Sequence, residues 1–182
     1  GELGLRVGTK FSGHWEDVRS DFWAVDGLRH VLEPYLNYTY LSEPTEDRER
    51  LLYFDEVDRL RGENFVRIGL EQSFYTRRPG EGPDRIGTLA RVESYADFHL
   101  EEGDGRETAG DFATRIRFRP QEPFGARALA VLRMDDGNLR RAEAGIHAET
   151  VDGGARMDLA YVYRDAKSEP PILTFGSTLA DF

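Results

Sequence analysis

The chain has 182 residues, no cysteine, and 24 Lys and Arg against 34 Asp and Glu, a formal charge of −10. That length fits one domain or part of one with a sizeable core, the 12% aromatic content excludes a solvating disordered tail, and the acidic excess opposes nucleic-acid binding, which needs cations to release counterions. Without cysteine there are no disulfides, thiolate nucleophiles or cysteine-held metal centres, and the longest strictly apolar run, Ala128 to Leu132, falls far short of the ~20 residues of a spanning helix.

The chain starts at Gly1 rather than Met, and no charged n-region with an apolar h-region follows. It reads as a mature or internal segment, with any targeting signal expected upstream. From there one signal dominates: period-two alternation in stretches of about ten residues, parted by turn chemistry. The stretches begin near residues 3, 29, 64, 86, 111, 124, 139, 155 and 172, which predicts nine strands.

In the second stretch, Glu33 shares a face with Val31, Tyr35, Asn37 and Thr39, opposite His30, Leu32, Leu36, Tyr38 and Tyr40. Pro34 has no N–H to give a ladder, so it predicts a bulge, an edge or a local break. Ser42 to Glu63 is too long and too charged for a hairpin turn, with eight acidic residues against four arginines. It also carries Leu51, Leu52, Phe54, Val57 and Leu60, so a loop folded onto the sheet and a short helix are both open readings.

Further on, Val66, Ile68, Leu70, Gln72 and Phe74 oppose Arg67, Gly69, Glu71, Ser73 and Tyr75. From Ile86 to Leu100 the even positions are uncharged, while Arg91, Glu93, Tyr95, Asp97 and His99 hold odd ones. Phe112, Thr114, Ile116 and Phe118 oppose Ala113, Arg115, Arg117 and Arg119, and Met157, Leu159, Tyr161 and Tyr163 oppose Arg156, Asp158, Val162 and Arg164. Asp136-Gly137-Asn138 and Asp152-Gly153-Gly154 offer the positive φ of tight turns. The expected topology is an antiparallel meander, because no segment has room for the crossovers of a parallel sheet.

An alternating sheet buries its apolar face in a protein core or in lipid, and periodicity alone does not separate the two. A soluble sandwich or lipocalin-like lipid-binding barrel is one solution. Three features favour lipid. The strands approach the ~9–11 residues that a tilted strand needs to cross a bilayer. The opposite face is dense in Arg, Glu, Asp, Tyr and Gly, as a barrel lumen is. Trp15, Tyr38, Tyr40, Phe74, Tyr75, Phe98, Phe118, Phe124, Tyr161 and Tyr163 lie toward strand ends, as in an aromatic girdle. Because single-chain bacterial barrels have even strand numbers, an odd count predicts a slice of a larger barrel, and residues 1–182 are expected to be one partial barrel domain with a long acidic loop at 42–63.

Catalytic chemistry has no foothold. His14, His30, His99 and His147 are isolated from one another, and no nucleophile elbow, phosphate loop or dinucleotide fingerprint is present. Glu101-Glu102 and Asp135-Asp136 are adjacent turn carboxylates. No enzymatic activity, metal site or cofactor is expected.

Gly27 to Tyr40 reads GLRHVLEPYLNYTY, and Phe54-Asp55, Asn64, Gly69-Leu70 and Arg77 follow in order. This series resembles the barrel region of the LptD family, the lipopolysaccharide-assembly outer-membrane proteins also called organic solvent tolerance proteins. Arg29, His30, Glu33, Pro34 and Tyr38 carry the resemblance, which is specific over about residues 27–78 and elsewhere agrees in strand rhythm. It implies an antiparallel transmembrane β-barrel in the outer membrane of a Gram-negative bacterium, serving to insert lipopolysaccharide into the outer leaflet. It also implies an LptE-like plug lipoprotein, outer-membrane lipid as surroundings, and a periplasmic bridge protein reached through an N-terminal jelly-roll domain that these residues lack. The cysteines that some family members carry are absent. Within this picture Arg67, Glu71, Arg91, Glu93, Arg115 and Arg117 are expected to face the lumen, and a neighbouring cation such as arginine is expected to pair with Glu33. Another outer-membrane channel, such as a porin, is the remaining alternative.

Overall fold

Alternation becomes strand pairing almost throughout. The computed structural model describes residues 2–42, 63–78, 85–100, 108–121, 123–150, 155–165 and 172–175. The strands are β1 (Glu2–Gly8), β2 (Phe11–Ser20), β3 (Val25–Leu41), β4 (Glu63–Arg78), β5 (Arg85–His99), β6 (Ala109–Gln121), β7 (Phe124–Arg133), β8 (Leu139–Glu149), β9 (Arg156–Arg164) and β10 (Ile172–Phe175). All pairs are antiparallel. No helix occurs among the described residues, and the two readings of Ser42 to Glu63 fall on 43–62, outside them.

Both β1 and β2 pair with β3, β1 along its second half and β2 along its first. They are one ribbon. Gly8 meets Tyr35 and Phe11 meets Leu32, so the register runs unbroken through Thr9 and Lys10, opposite Pro34 and Glu33. The Thr9 N–H donates to the Pro34 carbonyl at 3.2 Å, and Pro34 has no N–H to return. The break expected at Pro34 therefore falls in the partner strand, while β3 itself continues for 17 residues. Taking β1 and β2 as one strand, the sheet is the nine-stranded meander that the alternation predicts. Its edges are the β1–β2 ribbon and β10, and the sheet is not closed.

Registers across the sheet sort the side chains into rows. Five successive rows carry no charge. They run Leu5–Tyr38–Val66–Phe98, then Val7–Leu36–Ile68–Ala96–Phe112–Leu132, then Pro34–Leu70–Ser94–Thr114–Ala130–Ala142, then Phe11–Leu32–Gln72–Val92–Ile116–Ala128–Ala144, and finally Gly13–His30–Phe74–Ala90–Phe118–Ala126–Ile146. At the rise of an extended strand they cover about 27 Å along the strands. This face is open: Ile68 is 53% and Ile116 40% exposed. Most of the buried residues, among them Val31, Tyr35, Gly69, Ser73, Ala113, His147 and Ala160, lie instead on the charged face. Among the described residues the apolar rows are thus not sealed in a core, as a sandwich or lipocalin would seal them.

One stretch departs from simple alternation. Phe74 pairs with Ala90 but Tyr75 pairs with Thr88, so Leu89 is an extra residue in β5. A bulge of this kind moves every later side chain to the other face. Ile86 consequently opposes Arg77 and leaves the apolar series to which its even number assigns it. The turn at Asp136 to Asn138 forms as expected, with Gly137 at φ +69°; Asp152 to Gly154 lies outside the described residues.

Candidate functional site

The charged face concentrates polar chemistry because every second residue of β3 to β9 reaches it. Arg67, Glu71, Arg91, Glu93, Arg115 and Arg117 all share this face. Three rows organise it. Arg6, Asn37, Arg67 and Asp97 form the first, Lys10, Glu33, Glu71, Glu93 and Arg115 the second, and Ser73, Arg91, Arg117 and Arg127 the third.

In the first row the Arg67 guanidinium donates to both Asp97 carboxylate oxygens, at 2.7 and 2.9 Å, and lies 3.8 Å over the Tyr95 ring. A planar fork on a carboxylate, stacked on an aromatic face, is the arrangement that Arg makes and Lys cannot. The second row sets Glu33, Glu71 and Glu93 side by side, which repulsion between like charges would oppose. Each has its own cation. Lys10 reaches Glu33 at 2.8 Å, Arg6 reaches Glu71 at 2.9 Å, and Arg115 reaches Glu93 at 3.3 Å. The partner of Glu33 is therefore a lysine, seated in the two-residue gap between β1 and β2.

Tyr35 ties these rows together. Its hydroxyl donates to Glu93 at 3.3 Å, Arg6 lies 4.4 Å over its ring, and the ring crosses Gly69 so closely that a Cβ there would meet Cζ at 2.2 Å. Glycine is required at that crossing. Toward the other edge, Arg140 donates to Asp111 at 2.7 Å, Arg141 pairs with Glu143, and Asp158 takes His147 Nδ1 at 2.9 Å and Arg156 Nε at 2.8 Å.

A family model described as LptD, LPS transport system D, matches residues 3–171. The chain belongs to the LptD family. Membership ties it to lipopolysaccharide transport and extends the resemblance, first drawn on residues 27–78, across nearly every strand. No curated protein matches the chain by overall sequence.

The residues that carry the LptD resemblance do not converge on one site. Arg29 and Glu33 lie on the charged face, whereas His30, Pro34 and Tyr38 lie in the uncharged rows. The His30 ring stacks on Phe74 at 4.3 Å, and Tyr38 sits between Leu5 and Val66. Their shared feature is position on β3, the longest strand, which pairs along both sides. Sequence reasoning passed over Lys10, Arg6 and Tyr35. The parity that places Tyr35 beside Glu33 was a usable signal for the tyrosine, but nothing local points Lys10 or Arg6 at partners 23 and 65 residues further along the chain.

Proposed function

We propose that this chain is part of the outer-membrane translocon that inserts lipopolysaccharide into the outer leaflet. The observation that carries the reading is the division of the sheet, in an LptD-family chain, into five uncharged open rows and a face of ion pairs. On this reading the uncharged rows meet acyl chains over a height comparable to the ~25 Å apolar band of outer-membrane barrels. The charged face lines a water-filled lumen that accommodates the sugars and phosphates, and the acyl chains leave sideways into the bilayer. The turn at 21–24 lies at the periplasmic end of the strands, and the ends of β3 and β5, which lead into the two longest connections, lie at the cell surface. An LptE-like lipoprotein plugs the lumen, and a periplasmic bridge protein delivers the substrate.

An open edge in lipid leaves backbone groups without water or partner, so the edges at the β1–β2 ribbon and β10 must be paired in the membrane. The chain has no cysteine, so single introduced thiols report cleanly. In outer-membrane vesicles, Arg117→Cys should react with a water-soluble maleimide while Ile116→Cys resists it, and a fluorophore at 116 should be quenched by lipids carrying a nitroxide on the acyl chain. Equal labelling of 116 and 117 would refute the membrane placement. Replacing the native protein by one that lacks β3 and β4 should deplete lipopolysaccharide from the cell surface.

A further inference from the structure

The uncharged face is open along most of its length but covered at one end. Beyond its fifth row, Val25 is 9% and Thr76 2% exposed, although both alternate onto this side of the sheet. The cover is the turn at residues 21–24, which crosses the ends of β4 and β5 to reach β6. The Trp23 ring meets Phe118 edge-on at 5.1 Å, Phe22 packs edge-on against Trp23 at 4.6 Å, and Gln121 Nε2 donates to the Phe22 carbonyl at 3.2 Å. At the base of the turn the Thr76 hydroxyl donates to the Gly27 carbonyl at 2.9 Å and accepts from the Asp26 N–H at 3.0 Å, so backbone groups freed by the irregular register between Asp26 and Arg29 are satisfied. Ala24 holds φ +49°, a left-handed conformation that a Cβ disfavours, and its N–H closes the turn on the Asp21 carbonyl at 3.2 Å.

This braced turn presents an aromatic surface. Phe22 is 76% and Trp23 43% exposed, and the Trp23 indole N–H forms no hydrogen bond among the described residues. Trp15, 49% exposed, alternates onto the same face directly after Gly13, so both tryptophans of the chain stand just past the fifth row. Three considerations decide what meets them. Phe118 belongs to an uncharged row, so the turn lies on the outside of the wall, away from the charged face. Asp21 is exposed and charged, and Arg78, which donates to the carbonyls of Thr88 and Arg119, adds a cation at the same end, so the turn does not sink into hydrocarbon. Rings with a polar edge settle where acyl chains give way to headgroups. We propose that the 21–24 turn is a docking surface for phospholipid headgroups of the periplasmic leaflet, with Phe22 and Trp23 among the glycerol esters and the Trp23 N–H donating to an ester or phosphate oxygen. The proposal rests on the membrane placement above and extends it: lipid contact at this turn sets the depth at which the wall sits.

The test uses the full protein, free of other cysteines, in vesicles of phosphatidylethanolamine and phosphatidylglycerol. A nitroxide is attached to Phe22→Cys or to Ala130→Cys, which lies in the middle one of the five uncharged rows, and lipid relaxation is read by phosphorus and carbon NMR. Paramagnetic relaxation falls with the sixth power of distance and the phosphates lie about 15 Å or more from the bilayer centre, so the label at 22 should relax them at least about tenfold more than the label at 130. The label at 130 should act on acyl-chain carbons instead. In the chain labelled at 22, Trp23→Ala should lose most of the phosphate effect, and Trp23→Phe, which keeps a ring on Phe118, should retain more of it. Phe22 is exposed, so its replacement leaves the covered residues in place, and a label on the exposed Asp21→Cys reports on the same turn if the first variant does not fold. If the label at 22 relaxes neither phosphates nor acyl carbons, or acyl carbons more than phosphates, or if its effect survives Trp23→Ala, the docking surface is refuted while the label at 130 still places the wall in lipid. If the label at 130 relaxes no lipid signal, the membrane placement fails and the docking surface with it.

Discussion

Strand β6 presents two surfaces that contrast residue by residue. Phe112 and Ile116 are exposed on one side with Thr114 and Phe118 beside them, while on the other Ala113 is 1% exposed amid Arg115, Arg117 and Arg119. In a sheet stabilised by water-driven burial the apolar side is covered and the charged side open. Here the order is reversed. Enclosure follows the crowding of long polar side chains over small residues such as Gly69 and Ala113, and apolar side chains are left without protein cover. Such a sheet is stable where the medium outside it is itself apolar, and its charged face then depends on cross-strand pairing for order.

The contrast breaks most visibly if charge is moved from one surface to the other. Ile116→Arg should cost about 2–4 kcal/mol near the bilayer midplane, with less one row away from it, whereas Arg117→Gln should cost about 0.5 kcal/mol or less. Denaturant titration of the protein folded into lipid vesicles checks both, and equal costs would mean that the two faces share one environment. Next in size is crowding on the charged face. Gly69→Ala drives a methyl into the Tyr35 ring and should cost about 1–3 kcal/mol. Tyr35→Leu in the same chain should recover most of it in a double-mutant cycle.

Within the charged face, depth should rank the pairs. The Arg67–Asp97 side chains are 30% and 18% exposed, against 61% and 39% for Lys10–Glu33. Arg67→Gln should therefore cost about 1–2 kcal/mol, and Lys10→Gln under about 0.5 kcal/mol. A larger loss at Lys10 would show that the ion pair closes the gap between β1 and β2 as well as neutralising Glu33. The smallest effect belongs to neither face. In the turn beyond β7, the Asn138 backbone N–H donates to Asp136 at 2.8 Å and its side-chain amide adds a second bond at 2.6 Å, holding the Asp136 carboxyl below its usual range. A depressed carboxyl contributes stability that is present above its unfolded pKa and lost as pH falls through the folded one. Protection of the Asn138 amide against hydrogen exchange, measured relative to its intrinsic rate at each pH, should fall only as pH drops below the ordinary carboxylate range, and Asp136→Asn should abolish that fall.

Much of this architecture was legible in the chain. The nine starting points of alternation coincide with the strands once β1 and β2 are taken as one ribbon, because period two is a local property of extended backbone. The six lumen candidates fall on one face for the same reason. Leu89 was not legible: no residue type announces an extra position in a strand whose bulge exists only against its partner's register. Pro34 announced a break but not which strand would carry it, since the missing donor is felt by the neighbour that loses a bond.

By itself the sequence determined the strand rhythm, the meander, the segregation of charge to one face and the resemblance to the LptD family, all of which depend on residues close together along the chain. Only the tertiary structure decided which charges meet. Lys10 reaches Glu33, Arg6 reaches Glu71 across an intervening strand, and three arginines separated by turns stand in one row. Parity gives the face of a residue, but register gives its neighbours, and register is set by the sum of turn lengths, bulges and cross-strand packing over the whole sheet.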